Sequence, residues 1–259
     1  MTRASDITAV ILAGGLGTRL REITQDRCPK PMVPVAVRQQ SVPFLEFVVS
    51  HLGQQGISDF VFCVGHLGEQ IVDHFSDGAA FGLNFRYDDA GEVDTGSRVQ
   101  SAMRLVSGTE VLVACGDVFL PLDLGRFLSR FDARPDWQVM LAAVDADGPL
   151  EPNVAFDADG TVTAHGAIDP AGRQAGLEAG TLAVRRSAFE SIGTGDSFSL
   201  AHDLFPKLIR RKSLGSAIET SEFFDIGTPA GYHRFCDFAA DGGARALSRL
   251  SAPGLKNAN

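Results

Sequence analysis

The stretch AVILAGGLGTRLREITQDRCPKPM, residues 9–32, decides the reading of this chain. A short apolar run breaks into three glycines within four positions, Gly14, Gly15 and Gly17; Arg19 follows, and eleven residues later Lys30 stands between Pro29 and Pro31. A dinucleotide-binding fingerprint needs a third glycine where Leu20 stands, and a Walker A loop needs a Gly-Lys-Ser/Thr ending that this loop lacks. What remains is the physics those loops share. Glycines let backbone N–H groups approach a polyphosphate with no side chain in the way, and a guanidinium adds charge-assisted hydrogen bonds to phosphate oxygens. The flanking prolines restrict the backbone at Lys30 and hold its ammonium in place.

The run ITAVILA before the glycines reads as a strand, and DFVFCVG (59–65) and EVLVACGD (110–117) read as strands buried on both faces. After Pro43, the residues Phe44, Phe47, Val48 and Leu52 follow the spacing of one helix face, and Gly53 and Gly56 mark its end. Such alternation predicts a doubly wound, mostly parallel α/β sheet. The glycine cluster, the turn at Gly65 and Gly116-Asp117 all follow strands, so they fall at carboxyl ends, where open α/β sheets bind ligands. From about residue 136 the texture changes. WQVMLAAVDA, NVAFDADGTVTAHGA and LEAGTLAVRR read as strands joined by turns, with Asp159-Gly160 a hairpin signal, and predict a smaller β-rich lobe packed on the sheet. SLAHDLFPKLIRR and PAGYHRFCDFAA read as helices. One unit is expected over residues 1–240, with a nucleotide-binding half at about 6–135 and an acceptor half at about 136–240; the composition of 241–259 suits a mobile tail.

At 259 residues and 44% hydrophobic, the chain is long and apolar enough for a full core. Its formal charge of −9 argues against nucleic-acid and anionic-membrane partners, which dense basic patches would serve, and leaves a small-molecule ligand. Cys28, Cys63, Cys115 and Cys236 stand alone, with no CxxC pair or nearby histidine to make a zinc site, as suits a reducing cytoplasm. AVILA is too short for a signal-peptide core or a membrane span, and no later apolar run is long enough to cross a bilayer, so a soluble cytoplasmic chain is expected.

LAGGLGTRL followed at this distance by PKPM resembles the signature of the sugar-1-phosphate nucleotidyltransferases, which join a sugar phosphate to a nucleoside monophosphate and release pyrophosphate. The resemblance continues through PFLEFVVSHLGQQGISDFVFCVGHLGEQIVDHF, CGDVF, FSLAHDLFP and FFDIGTPAGY in the same order. In spacing and length it is nearest to the D-glycero-D-manno-heptose 1-phosphate guanylyltransferases. It implies a Rossmann-like, GT-A-like fold, a nucleoside triphosphate (GTP favoured) and a sugar phosphate as substrates, Mg²⁺ as cofactor, and leaves room for a homo-oligomer. Leu12, Ala13, Gly14, Gly15, Gly17, Thr18 and Gly116 would then cradle the nucleotide, with Asp94 and Thr95 beside the base. Arg19 would bind the pyrophosphate portion, and Lys30 would neutralise charge at the reacting phosphates. Catalysis of this kind is chiefly positioning and charge neutralisation, so Arg19, Lys30 and Asp117 form the catalytic set. Asp117 and Asp225, brought together at strand ends, would suit Mg²⁺, although either alone also reads as a cap or turn former.

The chain departs from the family pattern at clustered places. An LGTGGA-like stretch becomes VDTGSRV, where Asp94 has the chemistry to accept from guanine's ring N–H and amino group, and Ser97-Arg98 replace small residues. The family's EKP becomes Ala167-Ile168-Asp169-Pro170, without the lysine. EPNVAF and LEAGTLAV put Asn153, Glu178 and Ala179, with Gly180, in the sugar-contact loops, and Arg173, Arg185 or Arg186 are candidates to replace the missing cation. An intact nucleotide half beside a rewritten acceptor half predicts an unusual acceptor: a heptose-like or higher-carbon sugar phosphate, or a cyclitol phosphate. The lost lysine keeps open a non-catalytic nucleotide-sugar-binding subunit, which retention of Arg19, Lys30, Asp117 and Asp225 opposes. A Rossmann-type dehydrogenase is opposed by the incomplete fingerprint. His66 and His74 read as surface residues, His202 as a helix residue, and the phenylalanines of FLEF and FFD as core.

Overall fold

The structure, a computed structural model, describes residues 3–37, 40–146, 151–169, 174–190, 197–220 and 222–241. Arg173 and residues 242–259 of the expected tail lie outside them. Strand β1 (Thr8–Leu12) is the apolar run before the glycines. After helix α1 (Arg21–Thr24) and the hairpin of β2 (Pro34–Val37) and β3 (Gln40–Pro43), helix α2 (Phe44–Gln54) leads into β4 (Asp59–Cys63). Helix α3 (Glu69–Phe75) then leads to β5 (Asn84–Asp88), and α4 (Thr95–Ala102) to β6 (Glu110–Cys115). Strand β7 (Val118–Phe119) and helix α5 (Leu124–Asp132) precede β8 (Val139–Val144), β9 (Val154–Phe156), β10 (Val162–His165) and the long β11 (Gln174–Arg185). Helix α6 (Phe205–Arg210), β12 (Leu214–Thr220), β13 (Phe224–Asp225) and helix α7 (Pro229–Ala240) follow.

Nine strands share one mixed sheet. Its nucleotide half is parallel, in the order β5-β4-β1-β6, with Val10 lying between Val61 and Val113. Side chains alternate between the faces of a strand, so β1 feeds two cores. Ala9 and Ile11 pack with Phe44, Phe47, Phe75, Phe127, Phe131 and Phe235 from α2, α3, α5 and α7. Val10 packs with Val99, Phe205 and Leu208 from α4 and α6 on the other face. Helices thus cover both faces, which is why β1, β4 and β6 are apolar without a polar alternate. Phe44, Phe47 and Phe224 are buried as expected, whereas Phe223 is only partly buried, and burying such a side chain contributes about 1.5–3 kcal/mol.

The strands expected to form a smaller lobe continue the same sheet. β11 runs antiparallel to β6 and to β8, and β12 lies parallel to β8. Along its length β11 changes neighbours: residues 174–176 pair with β9, whereas 181–185 pair with β6. Between those stretches its register against β8 slips, and Gly180 takes φ +65°. A Cβ there would lie 3.2 Å from Cys115, so a left-handed conformation and a close approach both call for glycine. The bulge therefore falls beside Cys115, the last residue of β6, two residues before Asp117.

Candidate active site

The loops after β1, β4, β5 and β6 surround a cavity of about 900 Å³. Of the residues expected to bind nucleotide or act on it, Leu12, Ala13, Gly14, Gly15, Lys30, Asp94, Thr95 and Asp117 line it. The first two glycines differ in what surrounds them. A Cβ on Gly14 would sit 2.3 Å from Nη1 of Arg98 and 2.9 Å from the Val64 carbonyl, so Gly14 permits close packing of the wall. A Cβ on Gly15 would meet nothing within 4 Å, and the residue is exposed. Its missing side chain keeps open the space into which a ligand would fit.

Gly17 does not line the cavity. It takes φ +63°, and its Cβ position lies 3.2 Å from Cβ of Lys30, so it packs against the root of that side chain. Lys30 begins a single turn after extended Pro29, and its ammonium pairs with Oδ2 of Asp117. Both side chains are largely buried, at 15% and 22% exposure, so solvent screens this pair less than a surface one. Gly116 is buried, its N–H donating to the Leu12 carbonyl at 2.9 Å, and Asp117 follows as the second residue beyond β6.

Asp225 reaches the same place from the other end of the chain. It sits opposite Val118 in the β7–β13 pair, and the Ile226 N–H donates to the Asp117 carbonyl at 3.1 Å. The Gly227 N–H donates to Oδ1 of Asp225 at 2.6 Å. Arg19 is exposed, and its Nη2 lies against Gly227 rather than on the cavity wall; Thr18 is also exposed and outside the lining. Burial pushes the Cys115 thiol up, Asp117, Glu178 and Asp225 push it further, and Lys30 opposes them. Four charged side chains from four segments therefore converge on the end of β6. Each bond named at Asp117 and Asp225 uses one carboxylate oxygen, and the second of each is a hard donor. That set fits Mg²⁺, which takes one or two carboxylates and completes its shell with phosphate oxygens and water. Among the described residues no three His, Cys, Asp or Glu side chains form a group able to hold a metal, so a bound phosphate would have to complete the site.

The acceptor residues lie beside the cavity rather than in its wall. The Glu178 N–H donates to Oδ1 of Asn153 at 2.7 Å, and Glu178 Oε2 lies 2.7 Å from Nε2 of His165. His165 packs edge-on against Phe205, at 5.0 Å between ring centroids. Ala179 is fully buried, and Gly180 forms the bulge against Cys115. Arg173, the first candidate to replace the missing lysine, lies outside the described residues. The other two are corrected by the fold. Arg185 is opposite Glu110, at the amino end of β6 and away from the cavity; its guanidinium bonds Glu110 at 3.0 Å and the Phe131 carbonyl at 3.2 Å. Arg186 beside it donates to the carbonyls of Met103, Val106 and Gly108. Both are structural cations.

Sequence reasoning missed His165, whose position beside Glu178 comes from β9 pairing with both β10 and β11, with Val154 opposite His165 and Gly176. It treated Arg98 only as a departure, yet that side chain lines the cavity together with Asp89, Glu92 and Ser197. His66, expected at the surface, is exposed and borders the cavity as well. His74 is exposed, as expected, and pairs with buried Glu46 at 2.6 Å, and His202 lies in the turn before α6.

The sequence profile of the Nucleotidyl transferase family matches residues 8–155. The D-glycero-alpha-D-manno-heptose 1-phosphate guanylyltransferase of Aneurinibacillus thermoaerophilus is 27% identical over 233 residues, covering 87% of this chain and 95% of that protein. The UTP–glucose-1-phosphate uridylyltransferase of Synechocystis is 28% identical over 86% of this chain and 61% of its own length. The crystal structure of HddC from Yersinia pseudotuberculosis complexed with GMP-PN superposes with a TM-score of 0.73 at 25% identity, over 89% of this chain and 98% of that one.

Proposed function

The chain belongs to the nucleotidyl transferase family, and from that premise we propose that it joins a sugar 1-phosphate to the nucleoside monophosphate part of a triphosphate and releases pyrophosphate. The observation that carries this reading is the buried Lys30–Asp117 pair at a cavity built on the glycine loop. In the reaction an oxygen of the acceptor phosphate attacks the α-phosphorus in line, the new P–O bond forms, and the bond to the β-phosphate breaks. Gly15 leaves room for the triphosphate against the loop backbone. Lys30 neutralises charge on the reacting phosphates, which in a site shielded from water is worth several kcal/mol, of order 3. Exposed Arg19 has room to turn onto the leaving pyrophosphate. Asp117 and Asp225 would hold Mg²⁺, which when bound supplies further charge neutralisation at the α-phosphate.

GTP is the favoured nucleotide. The guanylyltransferase relative and the GMP-PN complex of HddC support it, as do the carboxylates of Asp89, Glu92 and Asp94 around the cavity, which suit a base edge rich in donors. Asn153 and Glu178 bind the hydroxyls of the acceptor, a heptose-like or higher-carbon sugar phosphate or a cyclitol phosphate. The absence of a lysine over Ala167–Pro170 favours a second reading, a nucleotide-sugar-binding subunit without turnover. Pyrophosphate release with Mg²⁺, five nucleoside triphosphates and a panel of hexose, heptose and cyclitol phosphates tests both. One productive pair establishes the enzyme; nucleotide binding with no release across the panel supports the subunit.

A further inference from the structure

Arg98, in the first turn of α4, donates from Nε to the Val93 carbonyl at 3.0 Å, from Nη1 to the Val64 carbonyl at 2.9 Å and from Nη2 to the Gly91 carbonyl at 2.9 Å. The three acceptors belong to two loops, the one after β4 and the one after β5. The guanidinium also lies against the glycine loop and the turn after β4: a Cβ on Gly14 would be 2.3 Å from Nη1 and 2.9 Å from the guanidinium carbon, and one on Gly65 would be 3.3 Å from Nη1. One planar group therefore joins three walls of the cavity. We propose that Arg98 is a positioning residue for nucleotide selection: it fixes the loop over residues 89–94 against the glycine loop, and thereby sets both the affinity for the triphosphate and the discrimination between bases. This rests on the reading that the cavity takes a nucleoside triphosphate.

Among the described residues, few other bonds hold the loop. The Arg98 N–H donates to the Asp94 carbonyl at 3.0 Å, and the Ser197 hydroxyl to Oδ2 of Asp94 at 3.2 Å. Within it the Gly91 N–H donates to Oδ1 of Asp89 at 3.0 Å and the Val93 N–H to the Gly91 carbonyl at 3.1 Å; at its end the Asp94 N–H donates to Ser197 Oγ at 2.7 Å. It also carries Asp89, Glu92 and Asp94, whose charges repel one another and any anionic ligand. Arg98 places a permanent positive charge among them and orders the loop before the ligand arrives, which removes an ordering cost from binding. Guanidinium geometry is needed. Three carbonyls, each bonded to a different nitrogen of one guanidinium, match the rigid fork of arginine, and a lysine ammonium on a flexible stem cannot span them.

The test uses Arg98→Ala and Arg98→Lys with calorimetric binding of the five triphosphates, thermal melts and steady-state kinetics. For Arg98→Ala the expected result is triphosphate Kd and KM raised about tenfold or more, as ordering costs shift to the binding step, with a flattened preference among bases. The acceptor KM and kcat change little. Arg98→Lys retains most of the melting temperature yet recovers little of the selectivity, and added guanidinium ion restores binding to Arg98→Ala. Unchanged triphosphate Kd and base preference in either variant would overturn the proposal. So would a loss in kcat, both KM values and melting temperature together with no rescue by guanidinium, because that marks a strut of the fold. Wild-type protein that binds no triphosphate would instead refute the functional reading beneath it, so the two failures are distinguishable.

Discussion

Replacing Gly15 by valine separates a glycine kept for a ligand from one kept for the fold. No atom lies within 4 Å of the Gly15 Cβ position, and the backbone there is outside the left-handed region. The folded protein therefore has room for the new side chain, and a surface change of this kind is usually within about 0.5 kcal/mol, or about 2 °C in Tm for a domain of this size. Binding is a different matter. The isopropyl group stands where the triphosphate must approach the loop and blocks at least one charge-assisted hydrogen bond, worth about 1.5–3 kcal/mol, so Kd rises roughly 10- to 150-fold. Gly14→Val is the control: its Cβ alone would collide with Arg98 and the Val64 carbonyl, and overpacking of that severity costs about 1–3 kcal/mol or more. Calorimetry with GTP, alongside thermal melts of both variants, reads the contrast. Gly15→Val protein that melts normally and binds GTP within a factor of two of wild type would refute the placement of phosphates on this loop.

Lys30→Ala should lower kcat by about 10²–10³-fold with a folded protein by circular dichroism; a kcat within threefold of wild type would remove Lys30 from the chemistry. Asp117→Asn should demand far more Mg²⁺ for the same rate, and chelation should silence the wild type until Mg²⁺ is returned, both read in a metal titration of pyrophosphate release. Arg185→Ala should lose about 1–3 kcal/mol of stability in urea melts, because it removes the bonds to Glu110 and to the Phe131 carbonyl, with the acceptor KM unchanged. Gly180→Val forces a β-branched residue to φ +65° against Cys115, and the same melts should show a loss of at least about 1 kcal/mol.

The parallel half of the sheet was legible because strands covered on both faces must be apolar in their interiors, so TAVIL, DFVFC and EVLVAC stand out against amphipathic helices such as α5, which buries Leu124, Phe127, Leu128 and Phe131. Their carboxyl ends then placed the glycine loop, Gly65 and Asp117 together without any knowledge of register. The acceptor half was less legible, because its geometry depends on non-local pairing. Nothing in QAGLEAGTLAVR announces that one strand changes partner from β9 to β6, or that the bulge at Gly180 falls on Cys115. Arg185 and Arg186 were misread for the same reason: a basic pair after a strand looks like an anion site until antiparallel pairing sends it to the opposite end of the sheet. Gly17, expected in the phosphate cradle, lies outside the cavity lining and its left-handed turn packs against Lys30, a contact between residues thirteen apart that the motif spacing contains but does not display.

The central claim is that the α–β phosphoanhydride bond breaks and the nucleotidyl group goes to a sugar phosphate. The most direct measurement incubates the protein with Mg²⁺, an acceptor phosphate that supports pyrophosphate release, and GTP carrying radiolabel at the α-phosphorus, then separates the products. The account predicts that the label moves into a nucleoside diphosphate sugar while unlabelled pyrophosphate leaves in equal amount, and that Lys30→Ala and Asp117→Asn suppress both together. Label recovered in GDP with inorganic phosphate released, or turnover indifferent to those two substitutions, would contradict it.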